Sequence, residues 1–199
     1  MIMAREKKIV EKADLLKADD YSKKRKQYRK ELLEFKKHRR VPISPYATFY
    51  FESFETMLGQ IQEMLYIEKG GEEQLQDELN AYNPLIPKGK ELVATLMFEI
   101  DDPTLRSNFL AKVGGIEGTV YINLDEERIN AIPENDLDRT SEEGKASSVQ
   151  FLHFNFSLEQ IKKFKNPNSI ITLSIDHKIY RHTTKITQPT KNALIKDFI

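Results

Sequence analysis

Cysteine is absent from these 199 residues, and with it go disulfides, thiolate zinc sites, iron–sulfur ligation and a cysteine nucleophile. No run approaches the roughly 18 uninterrupted apolar residues that a membrane helix needs. The opening Met-Ile-Met-Ala-Arg-Glu-Lys-Lys has no apolar core before a small-residue cleavage site, so the expectation is a cytoplasmic protein, not a secreted one. Gly/Ser-rich linkers, internal repeats and low-complexity segments are missing. So are a P-loop and a dinucleotide fingerprint, since Gly114-Gly115 follows an expected helix and not a strand. Ser147 and Ser148 stand in no Gly-x-Ser-x-Gly turn, which removes support for a serine hydrolase. Asp136-Leu-Asp138 lacks the glycine and terminal glutamate of a calcium loop and reads as solvated surface.

Net charge is also absent, but only as a sum. Residues 1–45 carry 15 Lys/Arg against 7 Asp/Glu, and the other 154 residues carry 16 against 24. A basic arm therefore adjoins an acidic body. Such an arm either binds a polyanion or packs on the acidic body, and packing is favoured because an intramolecular partner is always at high effective concentration. The expected division is a helical arm over residues 1–45 and an α+β domain over 46–199.

What is present is strong periodicity. Ile9, Ala13 and Leu16 suggest a short helix, and Tyr21, Tyr28, Leu32 and Phe35 stripe a second one running from Ser22 to His38. Val41-Pro42 and Ser44-Pro45 end it. Ala47, Phe49 and Phe51 alternate with Thr48, Tyr50 and Glu52 as in a half-buried strand. Phe54, Met57, Leu58, Ile61 and Leu65 then form the apolar stripe of a helix from Ser53 to Glu68, with Glu68 at the end of that stripe. A helix over 72–81, a proline-stiffened loop and a strand over 92–100 follow. Asp102-Pro103 opens a helix that Gly114 closes. Residues 119–124 and 128–132 read as a hairpin, 148–156 as a strand, and Ser157 with Gln160 as the capping box of a helix. A strand over 170–177 and a short helix over 194–198 complete the chain. The pattern predicts α+β architecture with a largely antiparallel sheet, packed helices and the N-terminal basic helical arm.

Four residues attract attention as a possible site. Glu52 and Glu68 sit where apolar residues dominate, and His177 and His182 lie in Asp176-His-Lys-Ile-Tyr-Arg-His. Two imidazoles and a carboxylate suit a first-row metal with open positions, with Glu52 or Glu68 as the third ligand, so Glu52, Glu68, His177 and His182 are the candidate ligands. The five-residue histidine spacing is poor for a strand pair, however. The competing expectation is structural, with His177 bonded to backbone and Glu68 in an ion pair with Arg40. His153 is expected to be a buried, hydrogen-bonded core histidine. For the arm, nucleic-acid binding requires free aromatics, whereas Tyr28 and Phe35 lie on the apolar stripe.

Taken together, Arg39-Arg40, Pro45, Thr48, Phe51-Glu52, Gln60 to Leu65, Ile67-Glu68, Tyr82-Asn-Pro-Leu-Ile-Pro87, Gly115-Ile-Glu117, Ser147-Ser-Val149 and Asp176-His177 with Tyr180 and His182 resemble a bacterial family built on a domain of unknown function. Genes of that family often neighbour those for rubrerythrin-like and iron–sulfur oxidoreductase proteins. The chain departs from its pattern at Tyr66 (usually arginine), Lys178 (usually proline) and Ser44 (usually glycine). The resemblance implies a place near peroxide or non-haem iron chemistry, with a rubrerythrin-like or iron–sulfur protein as partner. The candidate cluster is thus Arg40, Glu52, Glu68, His177, Tyr180 and His182. The leading expectation is an accessory or interaction protein of a bacterial redox or peroxide-response system. The alternatives are a small metal-binding protein or metal-dependent enzyme, and nucleic-acid binding through the arm.

Overall fold

The computed structural model describes residues 2, 6–134 and 144–199. The Asp136-Leu-Asp138 segment lies outside them. After a single 3-10 turn at Lys12–Asp14, helix α1 spans Ala18–Lys36 and a second 3-10 turn leads into strand β1, Arg40–Ile43. Here the prolines do more than end a helix. They close a hairpin in which β1 pairs antiparallel with β2, Ala47–Phe51. The boundary expected at residue 45 falls inside this hairpin. Likewise, the helix expected around Ile9–Leu16 is confined to its three-residue turn.

Ser53 caps α2, Phe54–Glu68, by accepting the Thr56 amide. Of the stripe read from the sequence Phe54, Met57, Leu58 and Ile61 are buried and Leu65 is half-buried, and Glu55, Thr56, Gly59 and Gln62 are buried as well. Lys69 turns left-handed after it, and α3 covers Gly71–Tyr82. Strand β3, Glu91–Phe98, is followed by α4, Pro103–Leu110, capped by Asp102. The hairpin β4–β5 comprises Val120–Leu124 and Glu127–Asn130, with β6 at Ile132–Pro133. Strand β7 is Val149–Asn155, and α5, Leu158–Lys165, carries the Ser157–Gln160 capping box. Finally β8, Ile171–His177, pairs with β9, Tyr180–Lys185, before α6, Gln188–Leu194. β9 runs through residues whose polar alternation gave no strand expectation.

The strands form two antiparallel sheets, ordered β1-β2-β3-β7-β6 and β5-β4-β8-β9. Their facing sides build the main core, where Phe49, Phe51, Leu96 and Phe154 meet Ile122, Leu173 and Ile175, all essentially buried. The other face of the five-stranded sheet is covered at one end by α2 and its neighbours. There Phe54, Leu58 and Ile61 pack with Val93 in a second cluster. The arm rests on α2 in turn. Tyr21 is buried and donates its hydroxyl to Glu63 at 2.7 Å, while the Arg25 guanidinium clamps the same carboxylate. Gly59 permits the approach of the two helices, because a Cβ there would meet the Leu32 side chain. Among the described residues no helix is long and apolar enough to cross a membrane.

Candidate functional site

The register of the five-stranded sheet decides which polar side chains meet. Arg40 lies opposite Tyr50, Pro42 opposite Thr48, and Thr48 opposite Met97. Residues so paired share a face. Arg40, Thr48, Tyr50 and Glu52 therefore line the face turned away from the main core, together with alternate residues of β3 and Glu99 just beyond it.

On that face Glu99 is the centre of a compact network. Its carboxylate accepts the Thr48 hydroxyl at 2.6 Å and the Tyr50 phenol at 2.5 Å, and Arg40 approaches at 3.3 Å. Burial by itself would raise the Glu99 pKa, but the Thr48, Tyr50 and Arg40 contacts outweigh it and hold the carboxyl below its usual range. Burial and the Glu99 bond push the Tyr50 phenol up. Beside this network Tyr180 is buried and ties the two sheets together. Its hydroxyl donates to Ile43 O at 2.7 Å and accepts the Tyr46 and Ala47 amides, each at 3.1 Å. His182 stands edge-on to Tyr180 at 4.5 Å. Between the β1–β2 turn and β9 this arrangement leaves an open groove of about 370 Å³, into which Tyr46, Thr48, Glu99, His182 and Thr184 face.

Arg40, Tyr180 and His182 are thus brought to one end of the sheet pair, and the other three expected residues are not. Glu52 is buried at the start of α2, where it accepts the Thr56 and Thr95 hydroxyls at 2.6 and 2.7 Å. His177 is buried at the β8–β9 turn, bonded to the backbone of Gly114 and accepting the Ile179 amide at 3.3 Å. Burial lowers its pKa, which favours the neutral ring. Glu68 corrects the expectation of a buried, paired carboxylate. It is exposed, and its partner is the Gln74 amide at 3.0 Å, because α2 has run beyond the sheet by its last turn and solvent meets the stripe there. The Arg40 cation goes to Glu99 instead. Among the described residues no three His, Asp or Glu side chains are placed to share a metal ion, so Glu52, Glu68, His177 and His182 do not form the expected ligand set.

One network escaped sequence reasoning, and a second, around the histidine expected to be hydrogen-bonded, has partners that were not foreseen. Arg39, buried, donates to the carbonyls of Phe51, Glu52 and Ala193 and pairs with buried Asp197, whose pKa burial raises to about 6. His153 is half-buried between two carboxylates, Glu91 at 3.0 Å on Nδ1 and Glu134 at 2.6 Å on Nε2. The Glu91 bond is the largest cause of its raised pKa. Two ring nitrogens facing two carboxylates make an imidazolium bridge, with the carboxylates on opposite sides of the ring and unable to meet at one ion. Glu91 and His153 come to one face only through the β3–β7 register, which sets Val93 opposite His153 and leaves no signal in the sequence. Asp197 gave none either.

A third feature belongs to the arm. Between α1 and α6 runs a groove of about 680 Å³ lined by Lys30, Leu33, Phe35, Ala193 and Lys196, among others. Leu33 is 73% exposed in it.

The family of the chain is settled by comparison. Residues 9–198 match the family described as "Protein of unknown function (DUF3501)". The chain belongs to this family. Among solved structures it is similar to a novel protein of unknown function from Burkholderia pseudomallei K96243, at 34% identity and a TM-score of 0.88 over 96% of this chain and 99% of that one. Comparison with curated proteins gives no match. The fold is therefore shared nearly end to end with that protein.

Proposed function

We propose that the protein is an accessory, partner-binding component of a bacterial redox or peroxide-response system, and that it docks its partner in the groove between α1 and α6. The observation that carries the docking surface is Leu33. A leucine 73% exposed within a large groove that Ile2, Phe35 and Ala193 also line is an apolar anchor, not scattered surface. Lys30, Arg39 and Lys196 line it against Glu31 and Glu34, and α1 as a whole carries seven Lys/Arg against four acids. That combination fits an acidic segment with an apolar ridge on the partner. The redox setting is supported by the resemblance alone, which points to a rubrerythrin-like or iron–sulfur protein.

A photo-crosslinker placed at Leu33 in the native cell tests this reading. The expected result is one discrete, salt-sensitive adduct whose partner is an iron protein, with no counterpart when the crosslinker replaces Leu158, which is 62% exposed on α5. Identical labelling from both positions would remove the groove as a docking surface. A discrete adduct with a protein lacking iron would keep the groove and remove the redox assignment.

A further inference from the structure

The second groove, between the β1–β2 turn and β9, has a different character. Its volume of about 370 Å³ is within the range of small-molecule sites. Glu99 is the carboxylate that faces into it, and among its described lining residues there is no lysine or arginine. That carboxylate is already oriented. Thr48, buried, donates to one of its oxygens and Tyr50 to the other by short hydrogen bonds, and these bonds help to hold its pKa below the usual carboxylate range. Its present cation, Arg40, lies at the surface over the Tyr50 ring. Arg40 reaches it through one contact of 3.3 Å, with side chains 53% and 41% exposed, and such pairs contribute little stability. The Tyr46 ring, half-buried and packed against Tyr180 and Phe109, lines the groove beside it, while His182 and Thr184 offer hydrogen-bonding groups.

We propose that this groove binds a small organic amine, with the ligand's ammonium on Glu99 and its body along Tyr46 and His182. The ligand displaces Arg40 and keeps the Thr48 and Tyr50 bonds. A primary ammonium suits the geometry because it is compact and brings several donors to one carboxylate. The site is independent of the partner groove on α1.

Amide-resolved NMR titration of the full chain with putrescine tests the proposal, with glycerol and acetate as neutral and anionic probes at matched ionic strength. Putrescine is expected to give saturable shifts at Tyr46, Thr48 and Thr184, and the other two probes none. Glu99→Gln should weaken putrescine binding by about tenfold or more, as loss of a charged contact does. Arg40→Ala should tighten it several-fold by removing the competing cation, an effect that a purely structural Glu99 does not produce. Undiminished binding by Glu99→Gln, acetate shifts as large as those of putrescine, or unsaturable shifts would each overturn the proposal. Should Glu99→Gln disturb the spectrum beyond the groove, the Arg40→Ala arm decides: no tightening overturns it.

Discussion

Tyr180 shows how one hydroxyl can join two sheets. It serves three backbone groups of the β1–β2 turn at once, so Tyr180→Phe leaves two amides and a carbonyl short of a partner while preserving the ring contacts. Urea unfolding should show a loss of about 1–3 kcal/mol with an unchanged denaturant slope. The His153 bridge makes a pH prediction. His153 has a raised folded pKa, so its contribution is complete below about 6.5 and is lost as pH rises through the higher folded value. Glu91 has a lowered folded pKa, because the His153 and Lys88 contacts outweigh burial, so its contribution holds above about 4.5 and fades in acid. Stability from this cluster should therefore peak between those limits. Thermal melts of His153→Gln should lack the decline on the alkaline side; a decline as steep as in the parent would refute the bridge. Residue-scale roles were the least legible. Tyr180 and His182 came forward as candidates, but the partners of the Tyr180 hydroxyl, Ile43 and Tyr46, are more than 130 residues away.

At the scale of elements, α2 matches expectation most closely. Ser53 caps it, and Phe54, Met57, Leu58 and Ile61 are buried as the 3.6-residue period requires. Ile61 is completely covered, so Ile61→Ala should cost about 2–5 kcal/mol in chemical denaturation. A loss below about 1 kcal/mol would mean that the α2 face is not packed against Val93 and its neighbours. The stripe was readable because apolar residues at the 3.6-residue period mark the face that meets the sheet, although the arm and neighbouring elements also bury Glu55, Thr56, Gly59 and Gln62. Glu68 fails for the same reason: periodicity gives its direction from the helix axis, not where the underlying sheet stops. β1 and β9 were missed because proline and polar alternation are also the marks of loops, and pairing with β2 and β8 makes them strands.

For the whole molecule, the opposite charges of arm and body meet within one chain. Glu63 of α2 receives both Tyr21 and Arg25, and the Gln62 side chain exchanges hydrogen bonds with the Leu16 backbone at 2.7 and 3.1 Å. Deleting residues 1–38 should therefore lower the melting temperature and leave retention on immobilised DNA unchanged. Intact stability with loss of a salt-sensitive DNA interaction would instead make the arm a nucleic-acid element. The sequence by itself determined the α+β class, the principal helices and strands, the core faces and the basic–acidic division, because each depends on local period, capping or composition. Tertiary structure alone decided that Arg40 belongs to Glu99, that Glu52 and His177 are satisfied separately, and that Arg39 meets Asp197. Those pairings depend on strand register and on how two sheets stack, and contacts spanning up to 158 positions leave no periodic trace in the chain.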